Sequence, residues 1–489
     1  MLRLWLVLVS LIGGAPSLLS QTPDKPASPS SLQQAMLRHL DSLQPELIAV
    51  NQDIWTYAEL GLEEHRSAGR LIGVLKKAGF RVREGVSGMP TAFVAEYGSG
   101  KPVIGILAEY DALPDLSQEA GGERKAVPGR ATGHGCGHCA LGAAAVGAAL
   151  AVQAVYDQHG LKGTIRVYGT PAEETVIGKV YMTLDGQFKD LDACLHWHPG
   201  TQNRITYGST KAVISAKFTF EGLPAHASGS PQRGRSALDG VELMNVGVNF
   251  MREHIKESSR IHYVVTKGGG QPNVVPATAQ VWYYVRANTH EDAEAQFEWV
   301  KEIAEAAAKM SRTKVHVQVD TDCHEIIPNL PLSQVIARNF RLVGPPQFDD
   351  ADRKLGRQLQ EPLRIGFGQK EEKALHDTVE ELPAEPYPAD AGSTDVGDVS
   401  WFVPTSGFSA ACFAAGSPGH SWQNVAAIGS PIGHKGMMVA AKVLALSAAD
   451  LLQDAKVLEE ARTDFQQRMK GRTYTTQIPK GQKAPRSIR

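Results

Sequence analysis

The order of secondary-structure signals between Thr210 and Asp320 constrains the fold most. "AVISAKFTFEG" alternates as a strand, "RSALDGVELMNVGVNFMREHI" has helical spacing, "RIHYVVTKGGG" and "AQVWYYVRANT" are strands, "EDAEAQFEWVKEIAEAAAKM" is a helix, and "KVHVQVD" is a last strand. That β-α-β-β-α-β order is the ferredoxin-like plan. The flanking segments read differently. From Ser31 the pattern is helical, and "TAFVAEYG", "PVIGILAEYDA", "GTIRVYGTPAEE" and "LDACLHWHPG" are strands interleaved with helical runs. Alternation of that kind predicts a mainly parallel α/β sheet. The expected fold is an α/β catalytic domain carrying an inserted α+β domain. The expected parts are 31–210 and 323–465 for the catalytic domain and 211–322 for the insert, with 344–390 irregular and 466–489 a solvated tail.

The N-terminus reads "MLRLWLVLVSLIGGAPSLLSQTPDKPASPSS". One arginine precedes an apolar run, and small residues lead to Ser20-Gln21, the pattern of a secretory signal peptide over 1–20 with a linker over 21–30. The run is too short for a stable membrane anchor, so the expectation is export to a periplasm or beyond. A net charge of −2 gives no basic footprint for nucleic acid. The five cysteines are an odd and sparse set, which is not a disulfide framework.

Ligand-binding groups in an open α/β sheet gather at the carboxyl ends of the strands. Polar clusters stand at those ends here: Glu109/Asp111, His134/Cys136/His138, Glu173/Glu174 and His196/His198, with His420 in "PGHSWQNV" after a late strand. Imidazole, thiolate and carboxylate at one edge are what a metal site needs. Cys136-Gly-His-Cys139 also spells a redox dithiol, although Gly135 stands where such centres usually carry an aromatic residue. A structural disulfide is a further reading of that pair. Of the adjacent Glu173 and Glu174, one is suited to ligate and the other to move a proton. His196 and His198 share a strand face, and only one need be a ligand.

The strings "GHGCGHCALG", "GTPAEE", "HWHPG", "GLPAHAS", "PNVVPATA", "AGSTDVGDVSW" and "PGHSWQ" together resemble the aminoacylase/carboxypeptidase family of dinuclear metallopeptidases, in the branch with auxin-conjugate and hippurate hydrolases. The resemblance runs from about Asn51 to about Asp450. It implies metal ligands at Cys136, His138, Glu174, His198 and His420, a general base at Glu173, and an inserted-domain histidine, His226, that reaches a neighbouring subunit's site. It also implies Asn273 and Arg286 near the substrate carboxylate. Cys139 departs from the family, which has Asp or Asn there. The expectation is a homodimeric amidohydrolase with two divalent ions, Zn²⁺ or Mn²⁺ with Co²⁺ as an alternative. Its substrate would be an N-acyl or N-aroyl amino acid, with a dipeptide as the neighbouring reading. A secreted thiol oxidoreductase and a non-catalytic binding protein are the rivals.

Overall fold

The computed structural model describes residues 28–368, 373–389 and 392–487. The expected signal peptide and most of the linker lie outside them. In chain order the helices are α1 (Ser31–Tyr57), α2 (His65–Lys77), α3 (His138–Tyr156), α4 (Gly178–Leu184), α5 (Ala237–Met251), α6 (His290–Ser311), α7 (Leu330–Val343), α8 (Asp350–Phe367), α9 (Val396–Ser400), α10 (Trp422–Ile428), α11 (Pro431–Gln453) and α12 (Ala455–Met469). The strands are β1 (Arg81–Glu84), β2 (Phe93–Ser99), β3 (Val103–Ala108), β4 (Gly163–Gly169), β5 (Ala193–Gly200), β6 (Arg204–Ile205), β7 (Ala212–Glu221), β8 (Arg260–Lys267), β9 (Thr278–Ala287), β10 (Lys314–Cys323) and β11 (Thr405–Ala411).

Seven strands form one sheet in the order β1-β2-β4-β3-β5-β11-β6. Its centre, β4-β3-β5-β11, is parallel, and the flanking strands run antiparallel. Helices α1, α2, α3, α7 and α11 pack one face in a single apolar core. A second core runs from the opposite face, through α4 and α9, into the inserted domain. α3 is apolar all round and almost wholly buried, as a core helix must be. Its small residues allow close approach: a Cβ on Gly142 would stand 2.8 Å from Glu109 O. α3 and α11 are long and apolar enough to span a bilayer, but each is 83% buried within this fold.

The inserted domain is a four-stranded antiparallel sheet in the order β10-β7-β9-β8, with α5 and α6 on one face. Alternate residues of β9 face those helices. Tyr284 and Arg286 therefore point to the other side, over the catalytic cleft.

Two expectations are corrected. The stretch 344–390 is not irregular throughout, because α8 occupies Asp350–Phe367. An Asp349/Asp352 capping box starts it, and Leu359 and Leu363 bury its inner face. Pro362 and two glycines mask that periodicity in the sequence. Nor are the described residues of the expected 466–489 tail simply solvated. α12 runs to Met469, and the residues beyond it pack across the junction of the two domains. The Tyr474 ring stacks on His324 with centroids 4.1 Å apart, and its hydroxyl donates to Asp398 Oδ1 at 2.7 Å. Ile478 is buried, and Gln482 donates to Val319 O and to the hydroxyl of Tyr181. Scattered polar and basic residues hid these few anchors.

Candidate metal centre and active site

The carboxyl ends of β3, β4, β5 and β11 and the loops after them surround one cleft of about 680 Å³. Cys136 lies in the loop before α3. Gly137, at φ +84°, turns that loop into the helix, and a Cβ there would press on Phe413 and Pro199 at 3.0 Å. His138 is the first residue of α3. Trp197 turns inward to donate to Leu141 O, so His196 and His198 both face the cleft. Glu173 and Glu174 sit in a single 3-10 turn, between Ala172 at φ 57° and Val176 at φ 52°. A β-branched residue in the left-handed region is strained, and such strain collects at functional sites. His420, also left-handed at φ 56°, sits in a loop tied to the Cys136 loop by Asn424, which donates to Gly135 O and Pro418 O.

All five residues that the resemblance implies as ligands converge. Cys136 Sγ is 3.3 Å from His198 Nε2, and His420 Nε2 is 3.2 Å from Glu174 Oε2. Cys136, His138 and His198 present donor atoms within 4.8 Å of one another, as do Cys136, Glu174 and His420. The imidazoles of buried His138 and part-buried His198 are aimed by their other nitrogens. His138 Nδ1 is 2.8 Å from Asp111 Oδ1, and His198 Nδ1 is 2.7 Å from Pro199 O. Both leave Nε2 for a ligand, the arrangement in which a carboxylate or carbonyl orients a ligating histidine. Glu173 Oε2 is 3.8 Å from His138 Nε2.

The donor set fits divalent ions. His138 Nε2, Glu174 Oε1 and Glu109 Oε2 are buried with no hydrogen-bond partner. Burial raises the Cys136 thiol far above its ordinary range and the Glu174 carboxyl to about 8. Burial, and then the charge of Glu109, raise Glu173 well above a normal carboxyl. Anionic donors that are this costly to ionise call for a compensating cation.

Arg286 reaches the same cleft from β9, where it donates to Ser393 Oγ at 3.2 Å. His226 and Asn273 are not brought to it. They stand together on the exposed edge of the inserted domain, where Ala227 N–H donates to Asn273 O at 2.9 Å. His226 Nδ1 accepts from the backbone N–H groups of Ser228 and Gly229, so the outward Nε2 carries the proton. His134 is a structural residue: it is buried, and its Nε2 bonds Ile54 O at 3.0 Å. Cys139 is wholly buried on α3 and forms no disulfide with Cys136.

Several neighbours of the site had no role assigned from sequence. In the sequence Glu109 and Asp111 stand out only as a strand-end cluster. Lys179 is wholly buried between Asp395 Oδ1 at 2.5 Å and Glu109 Oε1 at 2.8 Å. Glu64 accepts from Thr91 Oγ1 and the Ala172 N–H, holding the turn before Glu173. One signal was available: Lys179 is a lone charge in the apolar run "VIGKVYM".

A mainly parallel α/β sheet with candidate metal-ligating groups at its carboxyl ends and a ferredoxin-like insert defines a metallohydrolase of two domains. The chain belongs to the M20 family of metallopeptidases and amidohydrolases, and it is an enzyme of that class. The family's peptidase dimerisation domain matches residues 209–311. The chain is 40% identical to a p-aminobenzoyl-glutamate hydrolase component of Escherichia coli, over 88% of this chain and 94% of that protein. It is 27% identical to the Xaa-Arg dipeptidase of Mus musculus, over 91% and 96%. A Bacillus subtilis dinuclear metal-binding peptidase of the M20 family shares the fold, with TM-score 0.54 at 18% identity, covering 84% of this chain and 99% of that one.

Proposed function

We propose that this amidohydrolase cleaves the amide bond of N-acyl or N-aroyl amino acids with a free carboxylate, aminobenzoyl-glutamate-like compounds among them. The observation that carries this reading is that Arg286 shares one cleft with Glu173 and the convergent ligand set. Its substrate class also follows the name of the Escherichia coli relative. Cys136, His138, Glu174, His198 and His420 would hold two divalent ions, Zn²⁺ or Mn²⁺ with Co²⁺ as an alternative. Such ions, when bound, supply Lewis acidity and lower the pKa of water.

The chain's own residues do the rest. Arg286 pairs with the substrate carboxylate and fixes the amide beside Glu173. Glu173, which burial raises above an ordinary carboxyl, takes the proton from the attacking water. The water oxygen bonds the amide carbon, the C–N bond breaks, and Glu173 returns the proton to the leaving nitrogen. His226 serves the partner protomer of a homodimer, its Nε2–H donating to the carbonyl oxygen as negative charge develops. Asn273, beside it, would help hold the substrate carboxylate there. The edge strand β8 and α5 expose Val264, Val265, Val246 and Phe250, a surface suited to pairing inserted domains. The N-terminal sequence supports export.

A panel of N-acyl amino acids and their carboxamide counterparts tests the reading by release of free amine. The acids should turn over and the carboxamides should lose most of kcat/KM, a preference that Arg286→Met abolishes. Equal rates on both forms would contradict it. Dipeptides, the alternative substrates, belong in the same panel, since a relative is a dipeptidase.

A further inference from the structure

We propose that Glu109 is an additional metal-facing carboxylate of this centre, held in place by the buried Lys179–Asp395 pair. Besides the proposed base Glu173, four described carboxylates, Glu64, Glu109, Asp111 and Asp395, stand at or behind the cleft without belonging to the proposed ligand set, and three of them are satisfied within the protein. Glu64 takes hydrogen bonds on both oxygens, from the Ala172 N–H and Thr91 Oγ1. Asp111 bonds His138 with one oxygen and the Glu174 N–H with the other. Asp395 takes Lys179 Nζ on Oδ1 and the Lys179 backbone N–H on Oδ2. Glu109 differs. Its Oε1 is bound by Lys179 Nζ at 2.8 Å, while Oε2 is buried with no partner and stands 3.3 Å from His138 Nε2. That nitrogen is itself unpartnered.

The spacing suits one ion. Two ligand atoms each about 2.0–2.2 Å from a tetrahedral cation lie roughly 3.4 Å apart. Glu109, His138 and Glu173 together present donors within 4.8 Å of one another. The charges point the same way. One ammonium between two carboxylates leaves a net negative charge in a buried place, and that charge faces His138. Burial of that kind is costly unless a cation balances it. Lys179 is thus a positioning residue: it fixes the Glu109 carboxylate so that only Oε2 is turned toward the centre.

The inference rests on the proposed ligand set, and the test separates the two. Crystals of the full chain grown with Zn²⁺, with anomalous data at the zinc edge, should place Glu109 Oε2 within about 2.5 Å of an ion bonded to His138. An ion on His138 with both Glu109 oxygens beyond about 3.5 Å would overturn this inference and leave the ligand set standing. No ion on His138 would overturn both. In solution, Glu109→Gln should keep its circular dichroism and give up metal to a competing chelator at least about ten-fold more readily. Unchanged metal retention in that folded variant would overturn the proposal, and if the variant fails to fold, the crystallographic distance in the wild-type protein decides.

Discussion

Asp111 Oδ1 lies 2.8 Å from His138 Nδ1, and both side chains are wholly inaccessible to solvent. The second oxygen of Asp111 accepts the backbone N–H of Glu174 at 2.9 Å. One carboxylate thus aligns a proposed ligand on α3 with a proposed ligand on the turn after β4. Asp111→Asn keeps the shape but weakens both bonds. It should lower metal affinity by about 10–100-fold, read by chelator competition. Affinity equal to wild type would mean that His138 is aimed by packing alone.

Glu173 and Glu174 are adjacent, yet they face different partners: Glu174 meets His420, and Glu173 turns toward His138. Glu173→Gln should cut kcat by about 10²–10⁴-fold with metal content unchanged. Elemental analysis of the same sample checks the second half. A variant that loses metal instead would exchange the roles of the two glutamates.

His226 stands outside its own cleft with Nε2–H outward, so its action should cross a dimer. Glu173→Ala and His226→Ala, each expected to be inactive alone, are unfolded together and refolded as a mixture. A mixed dimer then carries both lesions in one site and neither in the other. Random pairing makes about half the dimers mixed, so activity should recover to roughly a quarter of wild type. No recovery, with exchange shown independently, would confine His226 to its own protomer.

The stability of the junction between the domains should be pH-sensitive. His290 Nε2 bonds Asp322 Oδ1 at 2.7 Å, its ring stacks on His324 at 3.7 Å, and Tyr474 stacks on the far side of the pair. Burial opposes protonation of His290, but the Asp322 hydrogen bond and charge, with Asp398 and Glu294 beyond, raise its pKa above 6.5. A raised folded pKa gives stability that is complete below the unfolded value and is lost as pH rises through the folded one. Wild type should therefore exceed His290→Gln in Tm most below pH 6.5, and the gap should shrink as pH rises above that value. A gap independent of pH would contradict the charged pair.

Much of this was legible in the sequence because periodicity and strand-end chemistry are local. The alternation of "AQVWYYVRA" names both the buried face of β9 and the face that carries Arg286. The convergence of Cys136, His138, Glu174, His198 and His420 follows from their places after parallel strands. What was not legible depends on contacts distant in sequence. Asp395 pairs with Lys179, and Tyr474 with Asp398 and His324. No short pattern signals such partners. His134 looked equivalent to its neighbours in "GHGCGH" until α1 supplied Ile54 O. α8 was obscured because Pro362 and its glycines read as breaks, whereas the leucines at four-residue spacing carry the helix.

Turnover should depend on divalent metal at the Cys136–His138–Glu174–His198–His420 centre. The direct measurement is release of free amine from an N-aroyl amino acid by protein exhaustively stripped with a strong chelator, then titrated with Zn²⁺, Mn²⁺ or Co²⁺ while bound metal is counted. Activity should vanish on stripping and return as the count approaches about two ions per chain, in keeping with a two-metal site. Full turnover by metal-free protein would contradict a metal-dependent mechanism.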